Sequence, residues 1–162
     1  MTSQVINVYG MKSESEFPAS AYPDFLRHQG IPTVLRRDRG LAQRSQAVQD
    51  LHRTYLIGDE YSEPMNQQQN PVEGNAIRWL KRHTKVLLDQ TSAPPQLWLK
   101  AQQYLADVHN NTAKERLRWN VPLTVRHGET TDISHLLMFQ FYEPVYYHHT
   151  SSFPDSEEKL GY

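Results

Sequence analysis

Apolar and polar positions alternate along the chain in two rhythms. Phe17, Ala21 and Phe25 recur at four-residue spacing and predict a helix within Ser13–His28. Ser13-Glu14-Ser15-Glu16 is a capping-box pattern at its start. Pro18 suits the first part of that helix, whereas Pro23 falls in its interior and predicts a kink. Ala47/Val48, Leu51 and Tyr55 predict a second helix, stopped near Gly58. The clearest helix runs from Pro71 to Asp89. At about 100° per residue, Ile77, Leu80, Thr84 and Leu87/Leu88 fall on one face together with Glu73. Pro94 and Pro95 open another helix, with Trp98, Ala101, Tyr104/Leu105 and Val108 inward. Short apolar or β-branched runs at Val5–Tyr9, Thr33–Arg37, Tyr55–Tyr61 and Pro144–Tyr147 predict strands. The expected architecture is α/β, without internal repeats.

Two carboxylates stand out within this pattern. Asp38 ends the Thr33–Arg37 run, so a strand delivers it at its C-terminal edge. Glu73 follows Asn70-Pro71-Val72, where Asn70 suits an N-cap and Pro71 the first helical turn. A strand-end Asp and a helix-start Glu can converge on a divalent cation, which takes hard oxygen ligands and activates water or a 3′-hydroxyl against phosphate.

Composition narrows the class. A chain of 162 residues is the size of one domain, able to bury roughly 70% of its unfolded surface. Its hydrophobic content of 38% and mean hydropathy of −0.72 imply a thin core. Absence of cysteine excludes disulfides and thiolate zinc sites, and no apolar run approaches membrane-spanning length. An intracellular protein, nuclear or cytoplasmic and not secreted, is expected. Net charge is only −1, but charge is segregated. Arg27, Arg36, Arg37, Arg39, Arg44 and Arg53 cluster early, and Arg78, Lys81, Arg82 and Lys85 make a helical stripe after Glu73. Acidic residues gather at Asp59, Glu60 and Glu63 and at Asp155, Glu157 and Glu158. Such segregation can give a neutral protein a basic face for phosphates.

Taken in order, Gly30-Ile31-Pro32, Leu35-Arg36-Arg37-Asp38-Arg39-Gly40, Gln67-Gln68-Gln69-Asn70-Pro71-Val72-Glu73 and Ala93-Pro94-Pro95-Gln96-Leu97-Trp98 form a recognisable series. Val121-Pro122-Leu123, Gly128-Glu129-Thr130-Thr131-Asp132-Ile133-Ser134, Phe139 and Pro144-Val145-Tyr146-Tyr147 continue it. From about Val5 to the C-terminus the chain resembles a copia-like retroelement integrase. The resemblance implies an RNase H-like core that joins DNA ends by transesterification, with two Asp and one Glu holding two Mg²⁺ or Mn²⁺ ions. Asp38 matches the second Asp and Glu73 the Glu. Arg39 departs from the small residue or Asn usual after the second Asp. No residue matches the first Asp, because Asp24, the only Asp upstream of Asp38, lies in a helical stretch.

The expectation is therefore an RNase H-like integrase core over residues 1–122 lacking its first strands, then a linker and the start of a small β module over 123–162. The implied sheet order is 3-2-1-4-5. With Val5–Tyr9 as third strand and Thr33–Arg37 as fourth, the two strands between them are missing. Exposed edges would then pair directly, be covered by a partner (another copy or a missing N-terminal segment), or stay partly disordered. DNA, met mainly through its phosphates, is the expected partner, with Arg78, Lys81, Arg82 and Lys85 as contacts. The ancestral role is metal-dependent strand transfer, and the fragment is expected to be inactive. The alternatives are a non-catalytic nucleic-acid-binding or interaction module, and a relic without selected function.

Each feature also has a plainer reading. Glu73 at the third helical position can bond back to Asn70 as a capping residue. Asp38 before Arg39-Gly40 can be a turn aspartate. The basic stripe can be a solvated face. His148-His149 has no third ligand at a defined spacing and reads as surface histidine. Trp79, Trp98 and Trp119 read as core or half-core anchors.

Overall fold

The computed structural model describes residues 4–37, 42–61, 71–149 and 157–161; the side chains of residues 42, 71–73, 147–149 and 157–161 lie outside that description. The chain is mixed α/β with mostly helices. It forms two compact units, one of Val8–Ile77 and one of Met1–Asn7 with Arg78–Tyr162.

The first unit is built around a parallel strand pair. Strand β1 (Val34–Arg37) pairs with β2 (Gly58–Tyr61), and helix α2 (Gln46–Tyr55) connects them. Two parallel strands need such a crossover, because a tight turn can only reverse the chain. Val34 pairs with Gly58 and Arg37 with Tyr61. Helix α1 (Tyr22–Gln29) precedes the sheet. Its Tyr22 and Leu26 join Val48 of α2 and Ile57 in a buried cluster, with Phe17, Phe25, Leu35 and Leu51 packed around it.

The helix predicted across Ser13–His28 is wound in three ways. A 3₁₀ turn at Glu14–Glu16 passes into a π-helical turn at Phe17–Ala21 and then into α1. Pro23 is the second residue of α1, just past the π-helical turn, where the winding of the helix changes. Ser13 makes no side-chain cap; Glu16 instead reaches back to the Lys12 amide at 2.9 Å. Helix α2 is stopped by Leu56, left-handed at φ 55°, rather than by Gly58. Gly58 serves the sheet: its N–H donates to the Thr33 carbonyl at 2.9 Å. A Cβ there would meet that oxygen and Val34 Cγ2 at 3.3 Å.

Helix α3 (Pro71–Thr91) is 21 residues long, about 32 Å. Its Leu80 and Thr84 are buried as predicted, but Ile77 is exposed. In the second unit, α4 (Trp98–Asn110) buries Ala101, Leu105, Ala106 and Asn110. Short helices α5 (Pro122–His127) and α6 (Ser134–Met138) follow, then an antiparallel hairpin of β3 (Val145–His149) and β4 (Glu157–Gly161).

The stretch expected as a strand at Val5–Tyr9 is not one. Part of its backbone is satisfied by a side chain: Asn110 accepts from the Ile6 N–H at 2.8 Å and donates to the Ile6 carbonyl at 2.7 Å. One amide side chain does there what a neighbouring strand would do. Of the tryptophans, Trp79 is half-buried between His83 and His109. Trp98 and Trp119 are exposed, the latter in a left-handed turn outside any helix, so neither anchors the core.

Candidate functional site

Parallel strands end on the same side, and in α/β folds ligands gather beyond those carboxyl ends. Here Arg37 ends β1 and Tyr61 ends β2, in register. Alternation along β1 turns Leu35 and Arg37 inward and leaves Val34 and Arg36 exposed. Arg36 accordingly pairs with its register partner Glu60 at 2.9 Å on the open face.

Arg37 is buried and heavily held. Its NH2 lies 2.8 Å from Asp59 Oδ1 and donates to the Tyr61 hydroxyl at 2.8 Å, while NH1 donates to the Gln43 carbonyl. The guanidinium also sits 5.0 Å from the centroid of the Tyr61 ring. Asp59 Oδ1 also faces His52 Nδ1 of α2, at 2.7 Å, though off the line of a well-formed hydrogen bond. The other imidazole nitrogen, Nε2, is 2.5 Å from the Tyr22 hydroxyl.

Protonation follows from burial. Desolvation pushes the Tyr22 hydroxyl up to about 12, with Arg37 opposing the rise and Asp59 adding to it, so the phenol stays protonated. Tyr22 then donates to Nε2, which leaves the imidazole proton on Nδ1, facing Asp59. Desolvation also lowers the His52 pKa, partly countered by Asp59 and reinforced by Arg37. The result is a chain of polar groups running from α1 through α2 to β2 and β1. Asp59, with 29% of its side chain exposed, and Tyr61, 38% exposed, bring it toward solvent. There the two line a shallow concavity with Gln49, Arg53 and Leu56. The arrangement fixes the carboxyl end of the strand pair.

Of Tyr22, Arg37, His52 and Asp59, only Arg37 falls within the motif series, and the sequence assigns none of the four a place in a site. The signals were present but quiet. His52 stands one helical turn after buried Val48, and Arg37 two positions after Leu35, so each is a polar residue in an inward register.

The carboxylates predicted from the sequence stand differently. Asp38 directly follows Arg37 in the chain and lies outside the described residues, as does the side chain of Glu73, third residue of α3. Asp24 belongs to α1 and pairs with Arg27 at 2.9 Å. Among the described residues no three His, Cys, Asp or Glu side chains come together as a metal site. His148 and His149 are in β3, opposite Glu158 and Glu157 of β4. Arg78, Lys81, Arg82 and Lys85 are all exposed along α3, and none makes an ion pair among the described residues.

Over 93% of its length the chain is similar to a chain in a cryo-electron microscopy structure of the simian T-cell lymphotropic virus intasome in complex with the PP2A regulatory subunit B56 gamma. The TM-score is 0.59 and the sequence identity 15%, a likeness of fold alone. The chain spans 54%, about half, of that chain's length. No family model and no curated protein matches the sequence.

Proposed function

We propose that this protein is an integrase-derived module that binds nucleic acid through phosphate contacts, on an RNase H-like core. One observation carries the reading: a parallel β–α–β unit with an Asp directly after its first strand, followed by a long helix that opens with Glu73 and continues into four exposed cations. Likeness in fold to a chain of a viral intasome complex supports the same reading.

Arg78, Lys81, Arg82 and Lys85 recur at one-turn intervals over about 10.5 Å of helix. With no carboxylate partner among the described residues, their charge is available to a polyanion. Nothing in the stripe is shaped to read base edges, so binding is independent of sequence. Asp38 and Glu73 supply hard oxygen donors of the kind Mg²⁺ or Mn²⁺ takes, and they are the residues that would hold such an ion. A bound ion would polarise a phosphate oxygen and lower the pKa of attacking water. The neighbouring Arg37 does not oppose that charge fully, because Asp59 neutralises it.

The test is salt dependence of binding to duplex DNA. Each neutralised phosphate contributes roughly −0.9 to the slope of log K against log salt. Replacing Arg78 and Arg82 with Ala should flatten that slope by up to about two units at little cost in stability. A double variant that folds normally and keeps the parent slope would return the stripe to a solvated face.

A further inference from the structure

The second unit holds a cleft that the nucleic-acid reading does not use. It runs between one side of α4 and the segment from α6 to Tyr142, with a volume near 540 Å³, within the range of small-ligand sites. Tyr104 comes from α4 and Phe139, Phe141 and Tyr142 from the segment after α6. Tyr104 and Phe141 lie 5.5 Å apart between ring centroids, tilted by 44°. Phe139 remains 53% exposed, and Tyr142 is held at φ 61°, a left-handed conformation unfavourable for a bulky side chain. Exposed aromatic surface and backbone strain are both retained at one cleft, which folding alone does not favour.

One acid sits among these rings. The carboxyl of Asp107, on α4, makes no hydrogen bond or ion pair among the described residues. Although the residue is open to solvent on one side, surrounding protein raises its pKa, an effect that facing His135 opposes when charged. No lysine or arginine pairs with that carboxylate among the described residues. Lys100 also lines the cleft, but seven residues earlier it stands about 10.5 Å away along the helix, at the other end.

Ring faces attract cations, and they favour methylated ammonium, whose methyl groups shed water easily while the charge persists. We propose that this cleft is a binding site for a methylated ammonium group, held by the faces of Tyr104, Phe139, Phe141 and Tyr142 and by the carboxylate of Asp107. The site is independent of the basic stripe on α3 and does not rest on the nucleic-acid reading.

Amide chemical shifts of the full chain, followed during titration with tetramethylammonium chloride at constant ionic strength, test it. Saturable shifts confined to α4 and to Phe139–Tyr142 are expected, with ammonium chloride binding at least fivefold more weakly. Asp107→Asn and Tyr104→Leu should each weaken tetramethylammonium at least fivefold while the rest of the spectrum stays in place. Shifts that grow linearly without saturation, or equal affinity for the two cations, overturn the proposal whether or not the variants fold. Unchanged affinity in either folded variant does the same. Choline and a peptide bearing N-trimethyllysine, run in parallel, separate a small-molecule source from a protein one. At least one must bind no more weakly than tetramethylammonium, and failure of both overturns the site.

Discussion

His52 joins two secondary-structure elements, α1 and β2, to its own through a single imidazole, and burial makes it sensitive to acid. An unfolded histidine takes up its proton near pH 6.5, but folded His52 does so only at lower pH. Between the two values the unfolded chain binds more protons, so stability falls as pH drops below about 6.5. His109, in the other unit, is lowered by burial and then by Lys114, and it adds a fall of the same sign. Protonated His52 could no longer accept from Tyr22, leaving a buried hydroxyl proton without its acceptor. Denaturant titrations at pH 7.5 and 5.5 should show the parent losing stability, by at most about 1.4 kcal/mol per pH unit for each titrating group. His52→Gln should start lower yet fall less steeply; a slope equal to the parent's would refute this assignment. The same neighbourhood shows what the sequence could convey. Arg36 and Glu60 were visible as charges, but their pairing depends on a register that only the parallel partner strand defines. Buried Arg37 reads as one more member of a basic cluster until the strand is known to turn it inward.

Helices were more legible than strands, for physical reasons. The α3 and α4 patterns repeat over several turns, and Leu80, Thr84, Ala101 and Leu105 are buried as their spacing predicts. A four-residue strand offers two inward positions and little redundancy, yet β1 and β3 lie where β-branched, apolar or aromatic runs mark them, while β2 takes only Gly58–Tyr61, the polar half of the Tyr55–Tyr61 stretch. Val5–Tyr9 has the same composition but is not a strand, and composition cannot show that. The end of α2 was misplaced because a glycine two residues later looked like the stop. Leu56 takes the left-handed cap instead, at a cost of roughly 1–2 kcal/mol relative to glycine. It is also 88% exposed, so its side chain contributes little burial. Leu56→Gly should therefore stabilise the first unit by about 1 kcal/mol, seen as a higher denaturation midpoint with unchanged m-value. Leu56→Ala should not, since alanine keeps the backbone strain. Gly58→Ala should destabilise, because the added carbon enters the close approach to Thr33 and Val34.

For the chain as a whole, strand joining and nucleic-acid binding are separable expectations. In-line phosphoryl transfer with two ions about 3.5–4 Å apart calls for a ligand shared between them. The sequence supplies Asp38 and Glu73, while Asp24 is committed to a helix and to Arg27. The purified 162-residue chain should therefore show no Mg²⁺- or Mn²⁺-dependent joining of DNA ends while still binding duplex DNA. Joining that disappears in Asp38→Asn would contradict this view.

The clasp between Asn110 and Ile6 bears on how the molecule is made. It closes a separation of 104 residues, so Ile6 leaves the ribosome long before its partner exists. Everything the first unit needs, from Val8 to Ile77, has been synthesised by then. That unit can condense while the opening residues wait, and the clasp comes late, after a long loop has lost its freedom. Pulse-labelled hydrogen exchange during refolding should find amides of β1 and β2 protected before that of Ile6. Asn110→Ala should delay or abolish only the later event.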